Sequence, residues 1–519
     1  MGEHPRRPGG GAIAAVGVEE RAAGRREVSL VVAAVLMLAF VFQGSRGIWE
    51  PDEGYYVNVS QAMFESGDWL VPRLNGEAFL DKPPLLYWSA ATGMSLLGEN
   101  EWGARCGQAL FFAATALVVG LLAARWWGRR TGCVAALVYA SSLAPFLAAN
   151  VLTADTPLAF ASAFSYYAFW RVEESSGRSR LWGAVLGVGL GLGVLAKGPA
   201  LLVACAPLPV FLLFGARWRR WKSPGYWIAA ALFVLVAAPW YAYVLAVIPG
   251  AGAYILDNQV TGRLVSQHLG RNPGWAGGFR IYLPTLLVGS LPWSLIWLRR
   301  SARPGGTEAR RPRPWSREGR PEELLLLLWI VLPLAVFWAA QSRLPLYVLP
   351  VFAPLALLTA RRFLMRRGRE GAPAGVPAWT VAVWVLLLLA VKGAAAWIPS
   401  HQDSRALAQE LDRLGIERDR LIVTLDTKKN GLSLYGWNAL EMVSAGKEPY
   451  PMFSPIESLA EEVDELATEP RPRVFVVDDR QAPHLRDVLA RTGHSYREEG
   501  LELPYVAFLT DPSAHARAK

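Results

Sequence analysis

The sequence has 519 residues, of which 53% are hydrophobic and 18% charged, and its formal net charge is +10 at pH 7. Eleven apolar runs lie near the length of about 20 residues that spans a bilayer as a helix, which excludes a soluble globular protein. A basic protein can bind nucleic acid, but these basic residues cluster in short segments between apolar runs, a pattern typical of membrane topology. We therefore expect a polytopic α-helical membrane protein with no nucleic-acid partner.

Residues 1–27 are rich in Gly, Ala and Arg and are predicted to form a disordered, basic amino terminus. The apolar run after them lacks a small-residue cleavage site, which favours an uncleaved anchor over a signal peptide. The three cysteines show no C-x-x-C spacing, so we expect neither a disulfide framework nor a thiolate metal site. The predicted spans are 28–44, 108–124, 131–149, 156–170, 181–197, 199–215, 226–246, 281–298, 322–340, 345–361 and 377–397.

Basic residues are unevenly divided between the two sides that these eleven spans define. The side of the amino terminus carries 28 Lys and Arg residues, and the other side carries 9 up to the last span. Because basic residues favour the cytoplasmic side, the amino terminus is predicted to be cytoplasmic and the carboxyl-terminal segment extracytoplasmic. This indicates a multi-pass protein of the plasma (inner) membrane.

The 45–107 segment is predicted to lie on the extracytoplasmic side and opens with the acidic loop Trp49-Glu50-Pro51-Asp52-Glu53. Residues 55–66 and 83–97 are predicted to form helices that lie on the membrane around a site. The polar 247–280 segment, too long for a plain turn, is predicted to cover that site. Within 181–197, glycines recur every four residues, which predicts close helix packing.

Residues 398–519 have frequent charges and no long apolar run. Buried strands are predicted at 421–425 and 474–477, and helices at 404–414, 458–467 and 482–492. Alternating short strands and helices indicate a small α/β domain of about 120 residues. It shows no Gly-rich phosphate loop, nucleophile elbow or metal-ligand spacing.

Several charged or polar residues are predicted to lie together on the extracytoplasmic side. A carboxylate just outside hydrocarbon is costly to desolvate and is usually paired or functional. Each residue also has a structural interpretation: a helix cap or solvated charge for an acid, a snorkelling cation for Lys197, and an interfacial aromatic for Tyr347. The candidates are Asp52, Glu53, Asp155, Lys82, Lys197, Arg343 and Tyr347.

Chemistry on the extracytoplasmic side lacks nucleotide sugars, so an activated sugar donor must arrive in the lipid. A polyprenyl-phosphate sugar is such a donor. Its transfer requires a carboxylate that takes the acceptor's proton and cations that hold the departing phosphate. Asp52 is the candidate base, while Lys82, Lys197 and Arg343 are candidates for the phosphate.

The chain resembles the bacterial aminoarabinose transferases that act on lipid A, which are relatives of the dolichyl-phosphate-mannose–protein mannosyltransferases. The order and spacing of the matching stretches hold over about 50–360. The matches are Pro51-Asp52-Glu53, Ser66-Gly67-Asp68-Trp69-Leu70-Val71-Pro72, Asp81-Lys82-Pro83-Pro84-Leu85, Leu152-Thr153-Ala154-Asp155, Leu195-Ala196-Lys197-Gly198-Pro199, Gly289-Ser290-Leu291-Pro292-Trp293 and Ser342-Arg343-Leu344-Pro345-Leu346-Tyr347.

The resemblance implies the GT-C fold: a many-helix membrane domain, here 28–397, with juxtamembrane helices and a soluble carboxyl-terminal domain, here 398–519. It implies that Asp52 is the catalytic carboxylate, with Glu53 beside it, and that Asp155 lines the same cavity. Lys82 and Tyr347 would hold the donor phosphate. Lys197, which would also line the cavity, and Arg343 are further candidates for binding the donor.

The chain departs from the family at two places. Aminoarabinose transferases usually have an arginine where this chain has Tyr55, so the sugar and phosphate contacts of Tyr55, and hence the sugar itself, stay open. Family members often have a lysine where this chain has Arg343, which keeps a cation but changes its geometry. Some relatives bind a divalent metal near the 45–107 segment, yet the sequence shows no ligand set for one.

Two other functions are compatible with the sequence. A polytopic transporter or lipid flippase would use its charges as a substrate path near the midplane, but the charges lie at one face and no inverted repeat is visible. An inactive scaffold with a partner-binding soluble domain would retain its function without Asp52. The favoured prediction is a glycosyltransferase with a lipid, glycan or protein acceptor.

Overall fold

The computed structural model describes residues 24–214, 217–257, 271–298, 320–369, 378–398, 400–446, 453, 456–468 and 472–510. Most of the predicted disordered amino terminus, residues 1–23, lies outside this described part. So do residues 258–270 of the segment predicted to cover the site.

The amino-terminal three quarters of the chain is helical, apart from a short hairpin of β1 (Arg73–Leu74) and β2 (Glu77–Ala78). Further 3-10 turns span Arg217–Lys222, Pro345–Val351 and Ala395–Trp397. The α-helices are α1 (Arg25–Phe40), α2 (Asp52–Ser66), α3 (Leu85–Leu97), α4 (Glu101–Trp127), α5 (Arg129–Ser141), α6 (Leu143–Ala149), α7 (Asp155–Glu174), α8 (Arg180–Lys197), α9 (Ala200–Cys205), α10 (Pro207–Leu213), α11 (Pro224–Val247), α12 (Ala251–Tyr254), α13 (Trp275–Gly289), α14 (Leu295–Leu298), α15 (Pro321–Ala339), α16 (Phe352–Arg369) and α17 (Ala378–Ala394).

Six helices in the described part are long and apolar enough to cross a membrane, or seven if α5 and α6, bent by 62°, form one broken span. Every predicted span coincides with a helix or with a pair of consecutive helices. The span predicted at 199–215 is broken into α9 and α10. A polytopic helical membrane protein is thus confirmed, whereas the number of eleven spans stays a prediction. The two stretches predicted as surface helices, 55–66 and 83–97, are helical, as α2 and α3, while their place on the membrane surface stays a prediction.

The glycine stripe of α8 packs against α11, as its spacing predicts. A Cβ atom added at Gly183 would lie 2.2 Å from the carbonyl oxygen of Gly225, and one added at Gly187 would lie 2.4 Å from that of Ala229. Contacts this short leave no room for a side chain, so the two helices approach to backbone distance.

The C-terminal unit, defined here as residues 400–510, contains a five-stranded sheet of order β4-β3-β5-β7-β6. Strand β3 is parallel to β4 and β5, whereas β7 is antiparallel to β5 and β6. Helices cover both faces, and each face has its own apolar core. The predicted elements are confirmed as β3 (Leu421–Leu425), β5 (Arg473–Asp478), α18 (Ser404–Arg413), α19 (Leu459–Thr468) and α20 (Ala482–Arg491), while β4 (Leu440–Val443), β6 (Tyr496–Gly500), β7 (Tyr505–Thr510) and the 3-10 turn Asn430–Tyr435 were not predicted.

The C-terminal unit is docked directly on the acidic loop. Trp49 forms an isolated antiparallel bridge with Asp403. The N–H of Glu50 donates to the carbonyl of Gln402 at 2.8 Å, and the N–H of Ser404 donates to Ile48 at 2.9 Å. These backbone hydrogen bonds join the acidic loop to the segment that precedes α18.

Candidate active site

Glu53 lies at the centre of a buried ion cluster. Its side chain is 1% exposed, and it pairs with Arg46 at 2.7 Å and with Arg105 at 2.9 Å. The N–H groups of Trp49 and Leu152 also donate to it, so each carboxylate oxygen accepts three hydrogen bonds. Burial raises the pKa of Glu53, but the two guanidinium groups outweigh burial and hold that pKa well below its ordinary value. Because both oxygens are fully engaged, the geometry favours a structural role for Glu53, whereas its role as a catalytic carboxylate stays a prediction.

Asp52 has the opposite surroundings although it precedes Glu53 directly. It is the first residue of α2, and its side chain is exposed. The hydroxyl of Tyr55 donates a hydrogen bond to Oδ1 of Asp52 at 3.1 Å. An exposed carboxylate is accessible to a substrate hydroxyl, as a general base must be. Tyr55, predicted as a donor-binding residue, thus contacts the candidate base.

Tyr56 connects the acidic loop with Asp155. Burial raises the pKa of Tyr56 well above its ordinary value, and the nearby carboxylates of Asp81, Asp52 and Asp155 raise it further. Lys82 is 8% exposed and bonds to the carboxylate of Asp81 beside it. The acidic groups of the 45–107 segment and of α7 therefore act electrostatically on one tyrosine, whereas their convergence on a single cavity stays a prediction.

Asp155, Lys197 and Tyr347 come together from three separate elements. The ammonium of Lys197, at the end of α8, donates to Oδ1 of Asp155 at 2.5 Å. It also lies 4.5 Å from the centre of the Tyr347 ring, a cation–π distance. A Cβ added at Gly198 would lie 3.9 Å from Pro83, which directly follows Lys82. The chain segments that carry Lys197 and Lys82 are thus neighbours.

The three side chains form the polar end of a cleft that is otherwise mainly apolar. Its volume, including the space at its open mouth, is about 710 Å³. An apolar cleft with a few convergent polar groups is the usual form of a ligand site. Besides Asp155, Lys197 and Tyr347, the lining residues are Leu158, Pro199, Ala200, Val203, Val336, Phe337, Ala340 and Ser342.

Arg343 does not line this cleft. Its side chain is 2% exposed, and its guanidinium donates to the carbonyls of Asn272 and Gly274, each at 2.8 Å, and of Trp338 at 2.7 Å. Its own N–H donates to the carbonyl of Arg271 at 2.8 Å. The guanidinium therefore clamps the 271–274 segment to the turn before Tyr347. Because these donors are engaged by backbone oxygens, the geometry favours a structural role for Arg343, and its role as a phosphate ligand stays a prediction.

Sequence reasoning missed the contribution of the C-terminal unit. Lys428 lies 5.1 Å from the centre of the Tyr55 ring. Beside it, Lys429 is 5% exposed and interacts with the buried carboxylate of Glu50. Burial raises the pKa of Glu50 to about 8, although Ser404, Gly431 and Lys429 each act to lower it. The signal for these lysines is their place after β3, because ligands commonly bind at the carboxyl ends of parallel strands.

Three carboxylates that could hold a metal ion lie elsewhere in the described part of the chain. Oxygen atoms of Glu441, Glu457 and Glu462 lie within 4.8 Å of one another, and Glu441 belongs to the edge strand β4. Among the described residues, no comparable group of three lies at the 45–107 segment.

Comparison with known proteins finds a similar fold and similar sequences. The family model for dolichyl-phosphate-mannose–protein mannosyltransferases matches residues 26–254. The crystal structure of ArnT from Cupriavidus metallidurans bound to undecaprenyl phosphate superimposes with a TM-score of 0.74, covering 94% of this chain and 98% of that chain at 21% identity. The chain thus shares the fold of a class of polytopic membrane proteins that includes ArnT.

Curated relatives narrow this class to one family. The chain is 34% identical over 400 residues to an undecaprenyl phosphate-α-4-amino-4-deoxy-L-arabinose arabinosyl transferase of Sodalis glossinidius, covering 73% of this chain and 67% of that protein. It is 32% identical over 347 residues to the corresponding transferase of Pseudomonas paraeruginosa, covering 66% of this chain. The chain belongs to this aminoarabinose transferase family. It spans about 60% of the length of the Pseudomonas relatives that it matches.

Proposed function

We propose that the protein is a membrane glycosyltransferase that transfers a sugar from a polyprenyl-phosphate donor to an extracytoplasmic acceptor, which is a lipid A-like lipid, a glycan or a protein. The observation that carries this proposal is the apolar cleft that ends at Asp155, Lys197 and Tyr347. An apolar wall suits a prenyl chain, and a cation with a phenol at its end suits a phosphate. Family membership supports the same class of donor.

Lys197 is the central phosphate-binding group in this proposal. Asp155 accepts one of its ammonium protons and fixes its direction, and the Tyr347 ring supports it from one side. Two further ammonium protons can then reach phosphate oxygens. Lys82 adds a second cation from the neighbouring segment. Arg343 acts indirectly, because it fixes the turn that carries Tyr347.

Asp52 is the proposed base of the transfer step. The oxygen of the acceptor hydroxyl bonds to the anomeric carbon while the bond between that carbon and the phosphate oxygen breaks. Asp52 takes the hydroxyl proton, and polyprenyl phosphate leaves with the electron pair of the broken bond. Lys197 and Lys82 stabilise the negative charge that develops on the phosphate. Each turnover yields one glycosylated acceptor and one polyprenyl phosphate, and the proton passes to water.

The proposal includes a topology and a domain division. Eleven spans within 28–397 and a cytoplasmic amino terminus put the 45–107 segment and the 398–519 domain on the extracytoplasmic side, as the 28-to-9 division of basic residues supports. The site and the docked C-terminal unit then share one compartment. A divalent metal is compatible with this proposal, but none of the proposed steps depends on one.

The test uses purified protein in liposomes with a panel of polyprenyl-phosphate sugars and a crude envelope extract as acceptor. We expect the wild-type protein to release free polyprenyl phosphate from at least one donor. Lys197→Met should weaken polyprenyl-phosphate binding by about 10- to 100-fold, the effect of losing a charge-assisted hydrogen bond. Tyr347→Phe, which keeps the ring and removes the hydroxyl, should weaken it less.

Lys222→Met is the matched control, because Lys222 is an exposed lysine in the turn before α11. It should bind polyprenyl phosphate like the wild type. Release from no donor, together with normal binding by Lys197→Met, would contradict the proposal. Flux assays would then test the alternative of a transporter or lipid flippase.

A further inference from the structure

The loop after β3 is held rigidly against the acidic loop. Lys429 donates to the hydroxyl of Tyr505 at 2.6 Å and to the carbonyl of His401 at 3.2 Å. The N–H of Gly431 donates to Oε1 of Glu50 at 2.6 Å. These contacts flank Lys428 on its carboxyl-terminal side, so its backbone position is set by the body of the C-terminal unit.

The opposite side of the same loop reaches the 45–107 segment. Nδ2 of Asn75 donates to Oδ1 of Asn430 at 3.2 Å. Asn75 belongs to the turn between β1 and β2, and it has a positive φ of 50°. The loop is therefore fixed between the C-terminal unit and the membrane domain, and it does not project freely into solvent.

Lys428 extends from this loop toward the candidate base. Its ammonium lies 5.1 Å from the centre of the Tyr55 ring, and the Tyr55 hydroxyl bonds to Asp52. Burial lowers the pKa of Lys428, while the nearby carboxylates of Asp81 and Asp52 act to raise it. Lys428, Tyr55 and Asp52 thus form one continuous group, although Lys428 lies 376 residues after Asp52 in the chain.

We infer that Lys428 is a substrate-binding residue that completes the reaction chamber from the C-terminal unit, and that its ammonium donates hydrogen bonds to oxygen atoms of the transferred sugar. The inference rests on the proposed transferase function and specifies which part of the donor this residue recognises. If Lys197 and Tyr347 hold the phosphate at the end of the apolar cleft, the sugar must project toward Asp52 for the base to reach the acceptor. Lys428 lies near Asp52, because its ammonium packs on the ring of Tyr55, whose hydroxyl bonds to Asp52.

An ammonium group suits this position for a physical reason. It can donate hydrogen bonds to hydroxyl or ring oxygens, and it balances the negative charge of the nearby Asp52 and Asp81. The aromatic face of Tyr55 keeps it directed into the chamber, because a cation is attracted to the ring face. The C-terminal unit then has a direct part in substrate recognition, beyond supporting the acidic loop.

The test compares Lys428→Met, Lys428→Arg and the control Arg480→Met in the full-length protein. Arg480 follows β5 at the same edge of the sheet, and its side chain is 94% exposed. We expect Lys428→Met to lower kcat/KM for the donor by about 10- to 100-fold, as for the loss of a charge-assisted hydrogen bond. Its affinity for polyprenyl phosphate without a sugar should stay unchanged. Lys428→Arg should restore most of the loss, and Arg480→Met should behave like the wild type.

Two results would overturn the inference while leaving the transferase function intact. One is wild-type kcat/KM in Lys428→Met. The other is a loss of activity that is matched by lower thermal stability and by weaker binding of polyprenyl phosphate alone, which would show a structural role. If the wild-type protein itself releases polyprenyl phosphate from no donor, the proposed function fails first, and the inference falls with it.

Discussion

Asp52 and Glu53 are adjacent carboxylates for which the structure predicts opposite mutational effects. Asp52 is exposed and bonds to the Tyr55 hydroxyl, whereas Glu53 accepts six hydrogen bonds inside the membrane-side ion cluster. Asp52→Asn should therefore abolish chemistry without changing stability. Glu53→Gln should lower stability, and should lower activity only in proportion to the folded protein that is lost.

The magnitudes follow from the surroundings of each group. A positioned general base contributes about 10²- to 10⁴-fold to rate, and we expect a loss in this range for Asp52→Asn. In Glu53→Gln, the guanidinium groups of Arg46 and Arg105 lose the charge that compensates their burial. Breaking a buried pair in this way costs about 3–5 kcal/mol, a large part of the stability of an ordinary domain.

Two measurements on the same preparations separate these effects. Release of polyprenyl phosphate per folded molecule reports the chemistry, and thermal unfolding in detergent reports stability. The double variant Glu53→Gln/Arg105→Met should lose less free energy of unfolding than the two single variants lose together. The reason is that it leaves only the guanidinium of Arg46 unpaired, whereas Glu53→Gln leaves two guanidinium groups unpaired. Wild-type turnover by Asp52→Asn would remove Asp52 from the base role. Wild-type stability of Glu53→Gln with lost turnover would restore Glu53 as a catalytic candidate.

Three further predictions concern the groups around the site. In the folded protein the pKa of Glu50 is about 8, whereas in the unfolded chain it is near 4.5. The folded state therefore holds a proton that the unfolded state releases between these two pH values. The free energy of unfolding should fall as pH rises through this window, by at most about 1.4 kcal/mol per pH unit. Glu50→Gln should flatten this dependence in thermal unfolding measured across the window, and an unchanged slope would refute the assignment. Arg343→Lys should loosen the 271–274 segment in hydrogen exchange and cost about 1–3 kcal/mol, since one ammonium cannot reach all three carbonyls. Gly183→Leu should cost about 1–3 kcal/mol or prevent folding, because its side chain would meet the Gly225 carbonyl, and normal expression and melting would contradict the packing argument.

The sequence predicts the positions of the site elements well, because they lie where apolar runs end. Asp155 begins α7, Lys197 ends α8 and Tyr347 opens the element after α15. All three ends were predicted on one side of the membrane from the distribution of basic residues. Their meeting in one cleft follows from helix length and topology, which are strong signals in a membrane protein.

The roles of individual charges were harder to predict, since they depend on partners distant in sequence. Glu53 and Asp52 have the same local signal, and they differ because Arg105, 52 residues further along, pairs with Glu53. The motif around Arg343 resembles a phosphate site, but backbone carbonyls of the 271–274 segment engage its guanidinium. Lys428 was missed because nothing in its own neighbourhood indicates that the C-terminal unit docks on the acidic loop.

The three carboxylates of the acidic loop have three different surroundings, and together these explain how one of them can stay available for chemistry. Glu53 is held by arginines of the membrane domain, and Glu50 by Ser404 and Gly431 of the C-terminal unit. Asp52 lies between these two anchors and stays exposed. A base must be positioned closely and yet accessible, and a loop fixed on both flanks meets both requirements. It follows that loss of the contacts of Glu50 should impair Asp52 even though no residue in direct contact with Asp52 has changed.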